Sequence, residues 1–124
     1  MNRVVYICLL AFFGAVVSLP ALGMTGDELL NQCSSGALTL DRASCEGYII
    51  GVEEGVDTLT MSQRILHQDN NIYPQLFCGS RWTSRDSLVR VVVPYLRHHP
   101  ESRHFGAASE VTLSLEQAYP CGVK

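Results

Sequence analysis

The sequence predicts an all-α fold, a small single-domain helical bundle stapled by two disulfides. Three observations carry that expectation. Apolar residues recur at the i, i+3, i+4 spacing of one helix face in successive segments. Hydroxyl residues followed three positions later by an acid mark helix starts, as in Thr25-x-x-Glu28 and Thr83-x-x-Asp86. Four cysteines, an even number, remain once an apolar leader is set aside.

The leader comes first. One positive side chain, Arg3, precedes the uncharged apolar run Val4 to Val17, fourteen residues long. A membrane-spanning helix needs about 20 apolar residues, whereas the apolar part of an export signal needs about 7 to 15. Ser18-Leu19-Pro20 breaks the run, and Ala21-Leu22-Gly23 offers small side chains to a signal peptidase. Residues 1–23 are therefore expected to be a cleavable signal peptide, with residues 24–124 as the domain. The competing reading, a buried uncleaved helix, lacks the polar face that an amphipathic helix would show. Met24 rather than a cysteine follows the expected cut, so no lipid anchor and no membrane association of the mature form are expected.

Removing 23 of 124 residues leaves 101, enough for one modest core. The loss of Arg3 takes the formal charge from −3 to −4. That balance argues against a nucleic-acid partner, which calls for a clustered basic face. Arg81, Arg85, Arg90, Arg97 and Arg103 are explained as well by a solvated helix face as by a phosphate patch. Cys8 leaves with the leader, and Cys33, Cys45, Cys78 and Cys121 remain for an oxidising compartment. Three pairings are open. Cys33–Cys45 with Cys78–Cys121 is favoured, because the first joins neighbouring elements and the second ties down the C-terminal segment. Zinc is disfavoured, since no Cys-x-x-Cys pair occurs.

Within the domain, the capping box Thr25-Gly26-Asp27-Glu28 opens a short helix with Leu29, Leu30 and Cys33 inward, ending near Ser34-Ser35-Gly36. A second helix is expected from about Thr39 to Thr60. Its small residues Ala43, Gly47, Gly51 and Gly55 stand four apart, on one face. Each glycine there costs up to about 1 kcal/mol of helix propensity, so a tight helix crossing is expected to compensate, ahead of a ligand groove. Tyr48, Ile50 and Val52 would complete the buried surface. Ser62 to Trp82 reads as irregular, with an exposed loop from about His67 to Pro74 pinned by Phe77 and Cys78. Thr83 is expected to cap a third helix with Leu88, Val91, Val92, Tyr95 and Leu96 inward, kinked or broken by Pro94; a strand over Val91–Val93 is the alternative. After His98-His99-Pro100 a last helix runs from about Ala107 to Tyr119, with Ala108, Val111, Leu115 and Ala118 inward.

Reactive constellations are not evident. His98, His99 and His104 with Glu101 are the one concentration of metal-binding side chains, but neither His-x-x-x-His nor His-Glu-x-x-His occurs. No metal and no cofactor are expected. The disulfides would consume every mature thiol, and no Gly-x-Ser-x-Gly elbow is present. Glu53, Glu54 and Asp57 read as solvated carboxylates. A small hydrolase using His104 and Glu101 would have to turn over peptidoglycan. An exported domain of this kind is expected to act by binding, not as an enzyme.

The residues also carry a resemblance. Leu29-Leu30 with Cys33, Cys45-x-Gly47-Tyr48-Ile49-x-Gly51-Val52, Phe77-Cys78, Val91-Val92-Val93-x-Tyr95-Leu96, His99-Pro100-Glu101-x-Arg103-His104 and Tyr119-Pro120-Cys121 together resemble, in order and spacing, the Tai/Rap immunity proteins. Pro94 departs from that pattern, where a helix-compatible polar residue is usual. The resemblance implies a periplasmic, disulfide-bonded helical protein, often a homodimer, that blocks a peptidoglycan amidase effector of a type VI secretion system. No catalytic residues carry over. It also implies a protruding loop that enters the effector's cleft, and Gln68, Asp69, Asn70, Asn71, Ile72 and Tyr73 are the candidates. Asp69 and the two asparagines can hydrogen-bond a polar cleft, while Ile72 and Tyr73 supply an apolar anchor. A periplasmic acid-response chaperone, also small, helical and disulfide-bonded, is the alternative.

Overall fold

Helix α1 begins where the capping box places it. In the computed structural model, which describes residues 23–68, 74–80 and 83–122, α1 spans Gly26–Cys33. Thr25 Oγ1 accepts from the Glu28 backbone N–H at 3.3 Å, and the Glu28 carboxylate accepts from the Thr25 N–H at 2.7 Å. Those hydrogen bonds, the backbone one first, hold the Glu28 carboxyl below the usual carboxylate range. The same end of α1 is fastened to the turn before the last helix. Gly26 N–H donates to Phe105 O and Asp27 N–H to Arg103 O, each at 3.0 Å, and Ala107 N–H donates to Met24 O at 2.8 Å. Gly26 is required by this contact: a Cβ there would lie 2.9 Å from the Arg103 carbonyl oxygen and 3.0 Å from its Cα.

Helix α2 spans Leu40–His67, 28 residues capped by Thr39, whose hydroxyl accepts from Arg42 N–H at 3.2 Å. It runs seven residues past the expected end at Thr60. Met61, Gln63, Arg64, Ile65 and Leu66 are adequate helix formers with no glycine or proline among them, and the helix stops only at Gln68, in the left-handed region at φ 52°. Cys45, Ile49 and Glu53, four apart, form its buried line, with Tyr48, Ile50 and Val52 half-buried beside it. The small-residue line faces the other way. Ala43, Gly47, Gly51 and Gly55 are exposed, and a Cβ added at any of the three glycines meets nothing within 4 Å. Among the described residues, the expected tight crossing is not formed.

Helix α3 spans Arg85–His98 and α4 spans Ala107–Ala118. Ser84, not Thr83, caps α3 and accepts from Ser87 N–H at 3.3 Å. Pro94 neither breaks the helix nor turns it into a strand. Pro94 and Arg90 are both exposed, so water can satisfy the carbonyl that proline leaves without its donor. Leu88, Val89, Val92, Val93 and Leu96 are buried, a face turned slightly from the expected one, with Val91 and Tyr95 at its margin. On α4, Val111 and Leu115 are buried as expected, but Ala108 and Ala118 are exposed and Glu110 and Ser114 take inward positions. Both polar groups are satisfied there: Ser102 donates to the Glu110 carboxylate at 2.9 Å, and Ser114 donates to Val111 O at 2.7 Å.

All four helices touch one another around a single core of Leu29, Ile49, Phe77, Val92, Leu96, Val111 and Leu115. The two favoured disulfides are formed. Cys33–Cys45 joins α1 to α2 across 5.1 Å between Cα atoms, and Cys78–Cys121 ties the segment before α3 to the C-terminal end across 4.9 Å. Among the described residues no helix is long and apolar enough to cross a membrane.

Candidate functional site

The candidate segment 68–73 follows the end of α2. Glu53 is the last fully buried residue of that helix; Val56, Asp57, Thr60, Gln63 and Arg64 beyond it are half-buried, and the helix ends at His67. Of the six predicted residues, Gln68 is described. It is exposed and donates its backbone N–H to Arg64 O at 2.9 Å, closing the helix. Asp69, Asn70, Asn71, Ile72 and Tyr73 lie outside the described residues.

Beyond the loop, the chain is fastened at successive points. Gln75 Nε2 donates to Asp57 Oδ1 at 3.2 Å, and its Oε1 lies 3.5 Å from Arg64 Nη1. Phe77 is buried in the core, and Cys78 adds its disulfide and a 2.8 Å hydrogen bond from its N–H to Tyr119 O. Buried Ser80 then donates to the buried Glu53 carboxylate at 2.5 Å. The expectation that Glu53 is solvated is thereby corrected: its carboxylate is the internal anchor of the segment that returns from the loop. Glu54 is exposed, and Asp57 is half-buried against Gln75. Gln75 and Ser80 escaped sequence reading because their partners lie 18 and 27 residues away.

Among the described residues, the histidines are held separately. His98 Nδ1 lies 2.8 Å from Pro94 O, and His99 Nδ1 lies 2.8 Å from Tyr95 O, a geometry in which each ring nitrogen donates. His99 also stacks on Tyr95, with centroids 4.1 Å apart, while His104 rests against Phe105 at 4.0 Å. These rings trim a helix corner. Tyr95 is pushed above the usual phenol range, first by desolvation and then by the negative charges of Glu110 and Glu101. Among the described residues no group of three or more His, Cys, Asp or Glu is placed to hold a metal ion.

Apolar surface is concentrated on α2. Leu59, Met61, Ile65 and Leu66 are each more than half exposed, as is Leu40 at the opposite end of the helix. An open groove of apolar character runs between α2 and α4, floored by Gly51 and Gly55 and walled by Thr112 and Leu113. The described residues thus offer exposed apolar surface and a fastened segment after the candidate loop.

No curated protein and no solved structure matches the chain. A family model described as Rap1a immunity proteins matches residues 25–121, from the capping threonine to the last disulfide cysteine.

Proposed function

The chain belongs to the Rap1a immunity protein family, and from that membership we propose that it works in the periplasm, as a homodimer, against a peptidoglycan amidase effector of a type VI secretion system. It blocks the effector by occluding the active-site cleft and performs no chemistry itself. Residues 1–23 direct export and are removed. Two disulfides suit the oxidising compartment in which such an effector would meet the wall.

The observation that supports this reading best is the mounting of the 68–73 loop. One base is the end of the long helix α2, and the other is held by Gln75, Phe77, the Cys78–Cys121 disulfide and the Ser80–Glu53 hydrogen bond. A loop with fixed bases loses less conformational freedom on binding, which favours a tight complex. Gln68, Asp69, Asn70 and Asn71 supply polar contacts to the cleft, and Ile72 and Tyr73 supply the anchor.

The test is direct. A peptidoglycan amidase effector of a type VI secretion system, sought first in the neighbouring open reading frame, is mixed with the purified chain, complex formation is measured by calorimetry, and wall cleavage is assayed. One tight site per copy with loss of cleavage supports the reading. Suppressed aggregation of unrelated proteins at low pH, without amidase binding, would favour a chaperone.

A further inference from the structure

The two disulfides stand in different surroundings. Cys33 is the last residue of α1 and Cys45 lies within α2; at 3% and 0% exposure, both are shut inside the core. Cys78 and Cys121 lie outside the helices, and each is only half-buried. Pro120 and Gly122, on either side of Cys121, are exposed. Helix α4 ends at Ala118, and Tyr119 O still accepts from Cys78 N–H at 2.8 Å. Beyond Tyr119, among the described residues, the Cys78–Cys121 bond is what fastens 120–122 to the bundle.

We propose that Cys78–Cys121 is a redox-sensitive clamp, which a dithiol reductant opens in the folded protein while Cys33–Cys45 stays closed. A thiolate attacks a disulfide only where it reaches a sulfur, and exposed disulfides are the labile ones. The reductant's first thiolate bonds to one clamp sulfur and expels the other as a thiolate; its second thiolate then displaces the bonded sulfur. Cys78 and Cys121 together take up two electrons and two protons, and the reductant is oxidised to its own disulfide. Residues 120–122 lose their fastening at that point, so the two thiols part. Cys33 and Cys45 are kept side by side by packed helices, which favours reclosure should a thiolate reach them.

Opening leaves the bundle standing. Phe77 stays in the core, Ser80 stays on Glu53, and Gln75 stays on Asp57. What is lost is the covalent tie between the segment 74–80 and the chain beyond α4, so that segment gains conformational freedom. This freedom has to be given up again when the candidate loop is held in a cleft, which weakens binding. The oxidised chain is then the tight inhibitor and the opened chain the weak one, a consequence that rests on the loop reading above.

The chain purified oxidised from the periplasm of expressing cells is treated with graded dithiothreitol, quenched with iodoacetamide and digested, and each alkylated cysteine is quantified by mass spectrometry. Cys78 and Cys121 are expected to be labelled at least 10-fold faster than Cys33 and Cys45, with the helical circular dichroism retained. Labelling of both pairs at one rate, or of Cys78 and Cys121 only as the helical signal is lost, overturns the clamp. The selectively opened, alkylated chain, freed of reductant, is then followed by amide hydrogen exchange. Residues 75–80 should exchange at least 10-fold faster than in the oxidised chain; unchanged exchange there overturns the clamp's hold on the segment. A Cys78→Ser with Cys121→Ser variant should match the opened chain, which separates opening from the bulk of the alkyl groups. Against a peptidoglycan amidase that the oxidised chain inhibits, the opened chain should inhibit at least 10-fold more weakly, and equal inhibition overturns the regulatory consequence. If the oxidised chain inhibits no amidase, the loop reading fails, and labelling and exchange still decide the clamp.

Discussion

Replacing Gly26 with alanine tests the contact that joins α1 to the turn before α4. The new methyl would lie 2.9 Å from the Arg103 carbonyl oxygen and 3.0 Å from the Arg103 Cα, and both obstacles are backbone. The 103–105 turn must move away. Its movement stretches two hydrogen bonds of 3.0 Å, Gly26 N–H to Phe105 O and Asp27 N–H to Arg103 O. It also disturbs Arg103 Nε, which lies 3.3 Å from the Asp27 carboxylate, near enough for an ion pair but out of line for a hydrogen bond. Overpacking of this kind costs roughly 1–3 kcal/mol. Alanine regains up to about 1 kcal/mol of helix propensity. The net is a loss of about 1–2 kcal/mol, or about 5–15 °C in melting temperature for a domain of this size. Urea unfolding followed by circular dichroism, with an unchanged m-value, reads the loss. A Gly26→Ala protein as stable as wild type, or more so, would mean that helix propensity governs this position and that the contact with the turn is unimportant.

Further outcomes follow from the same structure. Replacing Cys78 and Cys121 together with alanine removes a crosslink between residues 43 apart, against 12 for Cys33 and Cys45. Chain entropy sets the losses at about 4 and about 3 kcal/mol, so the Cys78–Cys121 variant should melt at the lower temperature in calorimetry. Glu53→Ala leaves the buried Ser80 hydroxyl without its acceptor and should cost about 1–3 kcal/mol in urea unfolding, with Glu53→Gln recovering part of the loss. Glu28 has a folded pKa below its unfolded value, so its contribution to stability is present above the unfolded pKa and disappears as pH falls through the folded one. A Glu28→Gln variant should therefore show a flatter acid limb in melting temperature against pH. For Tyr95 the sign is opposite: its raised pKa favours the folded, neutral phenol, and that contribution is lost as pH rises above the ordinary phenol value of 10.0, a fall that Tyr95→Phe should reduce.

Local signals in the sequence were the legible ones. The Thr25–Glu28 capping box, the turn residues and the disulfide partners sit close in sequence or are limited to three pairings, so the helical class and its staples could be read before any coordinates. The orientation of faces was harder. Spacing shows that Ala43, Gly47, Gly51 and Gly55 share a side, but it does not say whether that side meets the core. The core took the larger residues, Cys45 and Ile49, on the opposite side. Ala108 misled for a related reason: alanine contributes little buried area, and α4 is turned to admit Glu110 and Ser114, whose partners satisfy them. Beyond the candidate loop, the fastening of the following segment was hidden in pairs far apart in sequence, Gln75 with Asp57 and Ser80 with Glu53.

We propose that the 68–73 loop blocks a peptidoglycan amidase. The test is to titrate the purified chain, wild type and Asp69→Lys with Tyr73→Ala, against a type VI peptidoglycan amidase, sought first in the neighbouring open reading frame, while peptidoglycan cleavage is followed. Wild type should inhibit stoichiometrically, and the double variant should inhibit at least 100-fold more weakly at an unchanged melting temperature. Undiminished inhibition by the double variant would place the blocking surface elsewhere, and full cleavage in the presence of excess wild type would contradict the account.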